Sequence, residues 1–201
     1  MTFSKRIFDL IVAVILSIVL LPVIVITSLA ILILDGRPVF FISERMHSPQ
    51  QGFQLIKFRT MKPSIENRGV SGGDKNARIT RTGRFLRRSR LDELPQLFNV
   101  FRGDISFVGP RPPLRQYVER FPEIYAQVLL SRPGISGLAS VLYHEHEERL
   151  LERSTSLDET DAIYARICIP RKAKLDLIYQ ANRTLCYDIK IMLMTVFKSL
   201  R

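Results

Sequence analysis

The sequence predicts an α+β chain, mostly helical, in which a membrane-embedded N-terminal segment carries a small basic domain. Ile7–Leu34 is a 28-residue run with Asp9 as its only charge, and about 20 apolar residues already match the hydrocarbon core of a bilayer. Two short β-type runs follow, and then segments of helical period. The charge is lopsided: Lys57–Arg115 holds 14 Lys/Arg against 5 Asp/Glu, which is +9 of the net +11. A field of that sign favours phosphate-bearing partners and keeps nearby carboxylates ionised.

The apolar run exceeds the roughly 7–15 residues of a signal-peptide core, and no small-residue cleavage site closes it, so it reads as permanent. Residues 1–36 are therefore assigned to the membrane and 37–201 to the domain. A straight helix of 28 residues would be about 42 Å long and could cross the bilayer. Two features favour a re-entrant helix-break-helix instead. Lys5 and Arg6 precede the run and the basic remainder follows it, which marks both ends as cytoplasmic. Pro22 lies near the middle, where it removes a backbone hydrogen bond and acts as the structural break; the Ser17, Thr27 and Ser28 hydroxyls are candidates to satisfy freed backbone groups.

Beyond the run, Val39–Ile42 and Phe53–Phe58 read as an antiparallel hairpin turned by 48–52. Residues 62–75 are polar and Gly-rich, which predicts a flexible loop. Thr80–Arg90 is a basic helix with Phe85 and Leu86 on its apolar side. Pro95 opens a helix over Gln96–Phe101. Ile105–Val108 reads as a short buried strand or extended segment, Gly109–Pro113 as a loop stiffened by three prolines, and 114–121 and 123–130 as surface helices. Arg132–Gly137 is a second proline-stiffened loop. Leu185, Ile189, Met192, Val196 and Leu200 recur at helical spacing near the end, with Lys190 and Lys198 off that stripe.

The basic balance admits nucleic acid, anionic lipid or phosphorylated small molecules. Nucleic acid is disfavoured: the chain has no Trp, and Phe85, Phe98 and Phe101 sit at apolar helical positions expected to face a core rather than stack on bases. Cys168 and Cys186 have no metal-ligand or disulfide spacing and read as packing residues in a reducing compartment.

Asp92 and Glu93 lie in the centre of the basic stretch. Side chains of adjacent helical residues diverge by about 100°, so two neighbouring acids share a site only where the backbone is irregular or just entering a helix, as Pro95 allows. One acid could attack phosphorus or ligate a divalent ion while the other handles a proton or positions the metal. The competing reading is an acidic helix start paired with Arg87, Arg88 or Arg90. Arg111 and Arg132 are lone guanidiniums beside prolines, suited to phosphate or to simple turn stabilisation. Lys57 and Arg59 would share a strand face, clamping a diphosphate or facing solvent. His144-Glu145-His146 lacks a third spaced ligand for a metal box.

In order along the chain, the apolar run with Pro22, Arg45, Lys57-Phe58-Arg59-Thr60-Met61, Asp92-Glu93-Leu94-Pro95-Gln96-Leu97-Phe98-Asn99-Val100, Gly103-Asp104, Gly109-Pro110-Arg111-Pro112, Arg132-Pro133-Gly134-Ile135-Ser136-Gly137 and Asp188-Ile189-Lys190 resemble the monotopic phosphoglycosyl transferases, the bacterial sugar transferase family. The resemblance covers almost the whole chain. It implies transfer of a sugar-1-phosphate from a nucleotide diphosphate sugar, usually a UDP-sugar, to a polyprenol phosphate such as undecaprenyl phosphate, with release of UMP, as the first step of glycoconjugate assembly. It further implies Asp92 as nucleophile of an aspartyl phospho-sugar intermediate and as ligand of Mg²⁺, with Glu93 as its catalytic partner. Lys57, Arg87, Arg111 and Arg132 would hold phosphates or the leaving nucleotide. The re-entrant anchor would sit in the bacterial cytoplasmic membrane with the catalytic domain on its cytoplasmic face. Two departures stand out: His47 where many members have glycine, and Ala139-Ser140-Val141-Leu142-Tyr143-His144 where many read Ala-Gln-Val-Asn-Gly-Arg.

Overall fold

The computed structural model describes residues 2–63, 69–70 and 72–197. Helix α1 spans Phe3–Leu34, with Thr2 as N-cap, and carries on across Pro22. The expected interruption is thus not a change of secondary structure. Proline removes the N–H that would serve the Ile18 carbonyl while the helical backbone continues. Ser28 Oγ donates to the Ile24 carbonyl at 2.7 Å, one turn back, rather than to the carbonyl that Pro22 leaves open.

Both ends of α1 dock on the same domain. At its start, Lys5 pairs with Asp188, and Arg6 donates to the carbonyls of Val100 and Phe101 at 2.6 and 2.8 Å. At its finish, Arg59 donates to the Asp35 and Gly36 carbonyls, each at 2.7 Å, and Thr80 Oγ1 donates to the Asp35 carboxylate at 2.9 Å. Asp9, the lone charge of the run, is fully buried and accepts from the Phe107 N–H at 3.4 Å. Between these points Ala13 and Ile31 enter the core, while Ile11, Ile15, Ile18, Val19, Leu21, Val25, Ile26, Leu29, Ile33 and Leu34 stay exposed. Apolar surface on that scale marks contact with lipid.

The hairpin forms as expected but longer: β1, Phe40–Met46, pairs antiparallel with β2, Gly52–Phe58, with Phe40 opposite Phe58 and Arg45 opposite Phe53. Strand β1 runs on through polar Ser43-Glu44-Arg45, which carry no β signal of their own. Gly73–Arg78 forms a 3₁₀ turn that begins in the last three residues of the 62–75 stretch expected to be a loop and runs past it; residues 64–68 and 71 of that stretch lie outside the described residues. Helices α2, Arg81–Ser89, and α3, Gln96–Arg102, bracket the acidic pair. Strand β3, Ser106–Val108, pairs in parallel with β4, Gly134–Ser136, so half of the expected proline loop is a strand. Helices α4, Arg115–Arg120, and α5, Pro122–Val128, match expectation. Then come α6, Leu138–Glu152, α7, Leu157–Ile163, a π-helical turn at Tyr164–Cys168, α8, Ile169–Asn182, and α9, Leu185–Val196.

One core joins α1, β2, α3, β3, α6, α8 and α9 around Val100, Ile105 and Ile191; a second gathers Tyr117, Tyr164, Cys168 and Ile169 between α4 and α8. Three sequence expectations need correcting. Phe85 and Phe98 are 64% and 55% exposed, and Phe101 is also exposed. They lie on α2 and α3, the helices that flank α1, where lipid rather than a core can cover an aromatic ring. On α9 the described part of the apolar stripe points outward at Leu185, Ile189 and Val196, while Asp188, Ile191 and Met194 face in; Lys198 and Leu200 lie outside the described residues. Cys168 is buried as expected of a packing residue, but Cys186 is exposed.

Candidate active site

Local folding places the two acids. Thr80 caps α2 by accepting from the Gly83 N–H at 2.8 Å. Gly83 is required there because a Cβ would lie 2.1 Å from the Thr60 carbonyl oxygen. This close seat brings Arg87 Nε within 3.0 Å of Thr60 Oγ1. Arg90 then takes a left-handed conformation (φ 60°), which ends α2 and starts a 3₁₀ turn over Leu91–Glu93. The acids therefore occupy an irregular helix entrance, as their adjacency requires. Asn99, fully buried in α3, accepts from the Ile56 N–H at 3.0 Å and donates to the Gln54 carbonyl at 2.7 Å and to Asp104 at 2.9 Å. Its amide bonds the outer edge of β2 and fixes α3 against the strand that carries Lys57.

Glu93 Oε1 accepts from Lys57 Nζ at 2.7 Å and Arg111 Nη2 at 3.0 Å, with Arg90 Nη1 4.0 Å away. Burial pushes this carboxyl up, but Arg111, Lys57 and Arg90 together outweigh it and hold it well below the usual carboxylate range. Asp92 is equally buried, yet its carboxylate makes no hydrogen bond or ion pair among the described residues. Burial raises it above the ordinary aspartate value; Glu93 adds to the rise, and Lys57, Arg111 and Arg87 oppose it. Burial and the neighbouring Arg111 pull Lys57 down to about 8. Glu93 raises Arg111 further above the usual guanidinium range.

Lys57, Arg87 and Arg111 thus converge on the acidic pair. Arg132 does not join them. It lies near Gly103 and Arg6 at the C-terminal end of α3, while the acids precede its N-terminal end; seven helical residues separate these ends by about 10 Å. Arg59 is neither a clamp nor a solvated face: β2 stops at Phe58 and Arg59 turns to the end of α1.

The structure also adds residues. Arg45, half-buried on β1 and lowered to about 10 by burial and Arg111, lines a small cavity with Lys57, Gln96 and Arg111. Arg45 could have been suspected from its place in the motif series. His144 on α6 faces the same charges: burial, Arg90 and Arg111 pull it down to about 3. The sequence marks it only as half of a His-x-His pair and as the end of the divergent 139–144 segment, not as a neighbour of these charges. Its Nε2 lies 3.7 Å from Glu148, whereas His146 contacts Arg171 at 3.1 Å, so the two histidines serve different neighbours. Among the described residues no group of three His, Cys, Asp or Glu could hold a metal.

The family model described as bacterial sugar transferase matches residues 1–201. The chain belongs to the bacterial sugar transferase family. A UDP-N-acetylgalactosamine-undecaprenyl-phosphate N-acetylgalactosaminephosphotransferase of Aeromonas hydrophila is 34% identical over 99% of this chain and 43% of its own length. An uncharacterised sugar transferase, EpsL, of Bacillus subtilis is 35% identical over 98% of this chain and 87% of its own. A UDP-glucose:undecaprenyl-phosphate glucose-1-phosphate transferase of Caulobacter vibrioides is 35% identical over 96% and 68%. The chain spans less than half the length of the Aeromonas relative. As a bacterial sugar transferase, it couples a cation-lined acidic pair to a lipid-facing helix.

Magnesium needs one or two carboxylates and completes its octahedron with water and substrate phosphate rather than an all-protein cage. An unpartnered, buried Asp92 supplies one such carboxylate. Glu93, already committed to two cations, does not.

Proposed function

We propose that this bacterial sugar transferase moves a sugar-1-phosphate from a UDP-sugar to undecaprenyl phosphate or a similar polyprenol phosphate, at the cytoplasmic face of the bacterial inner membrane, to begin glycoconjugate assembly. The contrast between a free Asp92 and a doubly paired Glu93 carries this reading, and the names of the relatives supply the substrate classes.

The Asp92 carboxylate attacks the sugar-proximal phosphorus. The bond from that phosphorus to the bridging oxygen breaks, UMP leaves, and an aspartyl phospho-sugar forms. A phosphate oxygen of the polyprenol then attacks the same phosphorus, which frees Asp92 and leaves a polyprenyl-diphosphate sugar. Phosphoryl transfer depends chiefly on positioning and positive charge. Lys57, Arg87 and Arg111 provide both; Arg45 adds charge beside them. Glu93, held ionised, is poorly suited to carry a proton and is better placed to orient Lys57 and Arg111. Mg²⁺, held by Asp92 and the donor diphosphate, would supply charge neutralisation.

The donor is soluble and the acceptor sits in lipid, so the site has to lie at the membrane surface, where α1 holds it. Release of UMP from UDP-sugars by the purified protein, dependent on undecaprenyl phosphate, tests the reading. Absence of release with every UDP-sugar tried, by folded protein in lipid, would remove it.

A further inference from the structure

A cavity of about 90 Å³ lies at the other end of α3 from the acidic pair, between the start of α1, Ser131-Arg132 and the start of α9. It holds several times the ~10–15 Å³ that one water needs. Lys5, Arg132 and Arg183 line it against a single acid, Asp188. Asp188 is already engaged by Lys5 and by the Tyr179 hydroxyl at 2.7 Å. Neither Arg132 nor Arg183 makes a hydrogen bond or ion pair among the described residues. Arg132 Nη1 and Arg6 Nη2 both approach Gly103, each 3.4 Å from the place a Cβ would occupy. Arg6 is satisfied there by the Val100 and Phe101 carbonyls, which leaves Arg132 and Arg183 as the uncommitted cations of the cavity. Ser131 is 3% exposed, and its Oγ has no hydrogen-bond partner. A buried hydroxyl is costly when unpaired, so this one awaits an acceptor from the cavity. Thr184 caps the 12-residue α9, whose first-turn amides add positive potential.

Two guanidiniums, a buried hydroxyl donor and a helix start together match a phosphate group. The surroundings identify its carrier. Phe3 and Ile7 on α1 are exposed, as are Leu130 beside Ser131 and Leu185 on the cavity wall. A cationic floor with apolar neighbours next to a lipid-embedded helix suits a headgroup whose chains continue into the bilayer. We propose that this cavity binds the phosphate of an anionic membrane lipid, separately from the Asp92–Glu93 site, and so fixes the depth at which α1 lies. The proposal rests on the placement of α1 in the membrane and not on the chemistry assigned to Asp92.

Native mass spectrometry of the full chain in neutral detergent, with phosphatidylglycerol, phosphatidylcholine or inorganic phosphate added, tests it. Wild-type protein is expected to retain phosphatidylglycerol in preference to phosphatidylcholine. Arg183→Gln, a change at an exposed side chain, and Ser131→Ala should each weaken that retention about tenfold, on the scale of one charge-assisted hydrogen bond. Their melting curves should match wild type, and Arg183→Lys should keep part of the binding. Asp92→Asn should retain the lipid fully, which separates this site from the catalytic reading. Equal retention of phosphatidylglycerol by wild type, Arg183→Gln and Ser131→Ala would overturn the site. Displacement of the lipid by an equal concentration of inorganic phosphate would overturn the lipid as its ligand and assign the cavity to a soluble phosphate.

Discussion

Asp92 and Glu93 are adjacent and equally buried, yet Glu93 Oε1 takes two cations at 2.7 and 3.0 Å while Asp92 takes none. Substitution of the two should therefore fail in different ways. Asp92→Asn removes the nucleophile and a buried, unpartnered charge, so turnover and any covalent adduct should vanish while the melting temperature holds or rises. Glu93→Gln strips Lys57 and Arg111 of their partner. It should cut turnover by about 10²-fold through mispositioning of those cations and cost about 3 kcal/mol of stability, as breaking a buried pair does. UMP release, intact-protein mass and thermal melts read all three. Near-wild-type release by Asp92→Asn would exclude it as nucleophile.

The position of this pair was legible in the sequence because it depends on local chemistry. Adjacent acids followed by Pro95 imply an irregular helix entrance, and Arg90 provides it by its left-handed turn. Lys57 and Arg111 stand in motifs of the resemblance, which also implies Arg87, and all three converge on the acids. Arg132 was not separable from them, because its distance from the acids is set by which end of α3 it meets. That is a tertiary fact. The parallel pairing of Ser106–Val108 with Gly134–Ser136 was hidden for the same reason: three-residue strands 28 positions apart leave no periodicity. His144 shows in the sequence as half of a His-x-His pair and in a departure from the family pattern, but that it faces Arg90 and Arg111 depends on how α6 packs. Phe85, Phe98 and Phe101 misled because an apolar helical face predicts burial without saying whether protein or lipid covers it.

Lys57, lowered to about 8 by burial and Arg111, should set the alkaline limit of catalysis. Its cation exists below that value and is lost as pH rises through it. Accordingly kcat/KM, which reports free-enzyme ionisations, should fall above about pH 8. Lys57→Arg keeps the charge and should carry the fall upward by more than about one unit, since guanidinium ionises above 12. On the acid side Asp92 is raised by burial, so activity should decline at a pH above the ordinary aspartate value of about 3.9. An alkaline limb unmoved in Lys57→Arg would assign it to another group.

Metal dependence should follow the hard-ion chemistry of Asp92 and phosphate. EDTA should stop UMP release and Mg²⁺ or Mn²⁺ should restore it. The double variant His144→Ala, His146→Ala should need the metal as wild type does, since those rings face Glu148 and Arg171 respectively. Loss of the requirement in that variant would place the metal on the histidines.

The two ends of α1 test how the chain sits in the bilayer. A straight helix over Phe3–Leu34 would be about 48 Å long and could cross a ~30 Å core. Crossing would put Lys5 and Asp35 on opposite faces. Yet Lys5 is paired with Asp188, and Asp35 is held by Arg59 and Thr80, all on one domain. A domain on one side of the membrane cannot grip both ends of a helix that spans it, so Thr2 and Gly36 should share the cytoplasmic side. With Cys168 and Cys186 replaced by alanine, a Thr2→Cys protein should resist an impermeant thiol reagent on intact spheroplasts and react after lysis. Reaction before lysis would restore the spanning helix. Pro22→Ala gives the Ile18 carbonyl back its hydrogen bond and removes the residue that disfavours a straight helix. It should favour a straight crossing, which must break the Lys5–Asp188 pair or the Asp35 contacts. Labelling before lysis should then rise and UMP release should drop, because the acidic pair would no longer be held at the depth of the polyprenol phosphate.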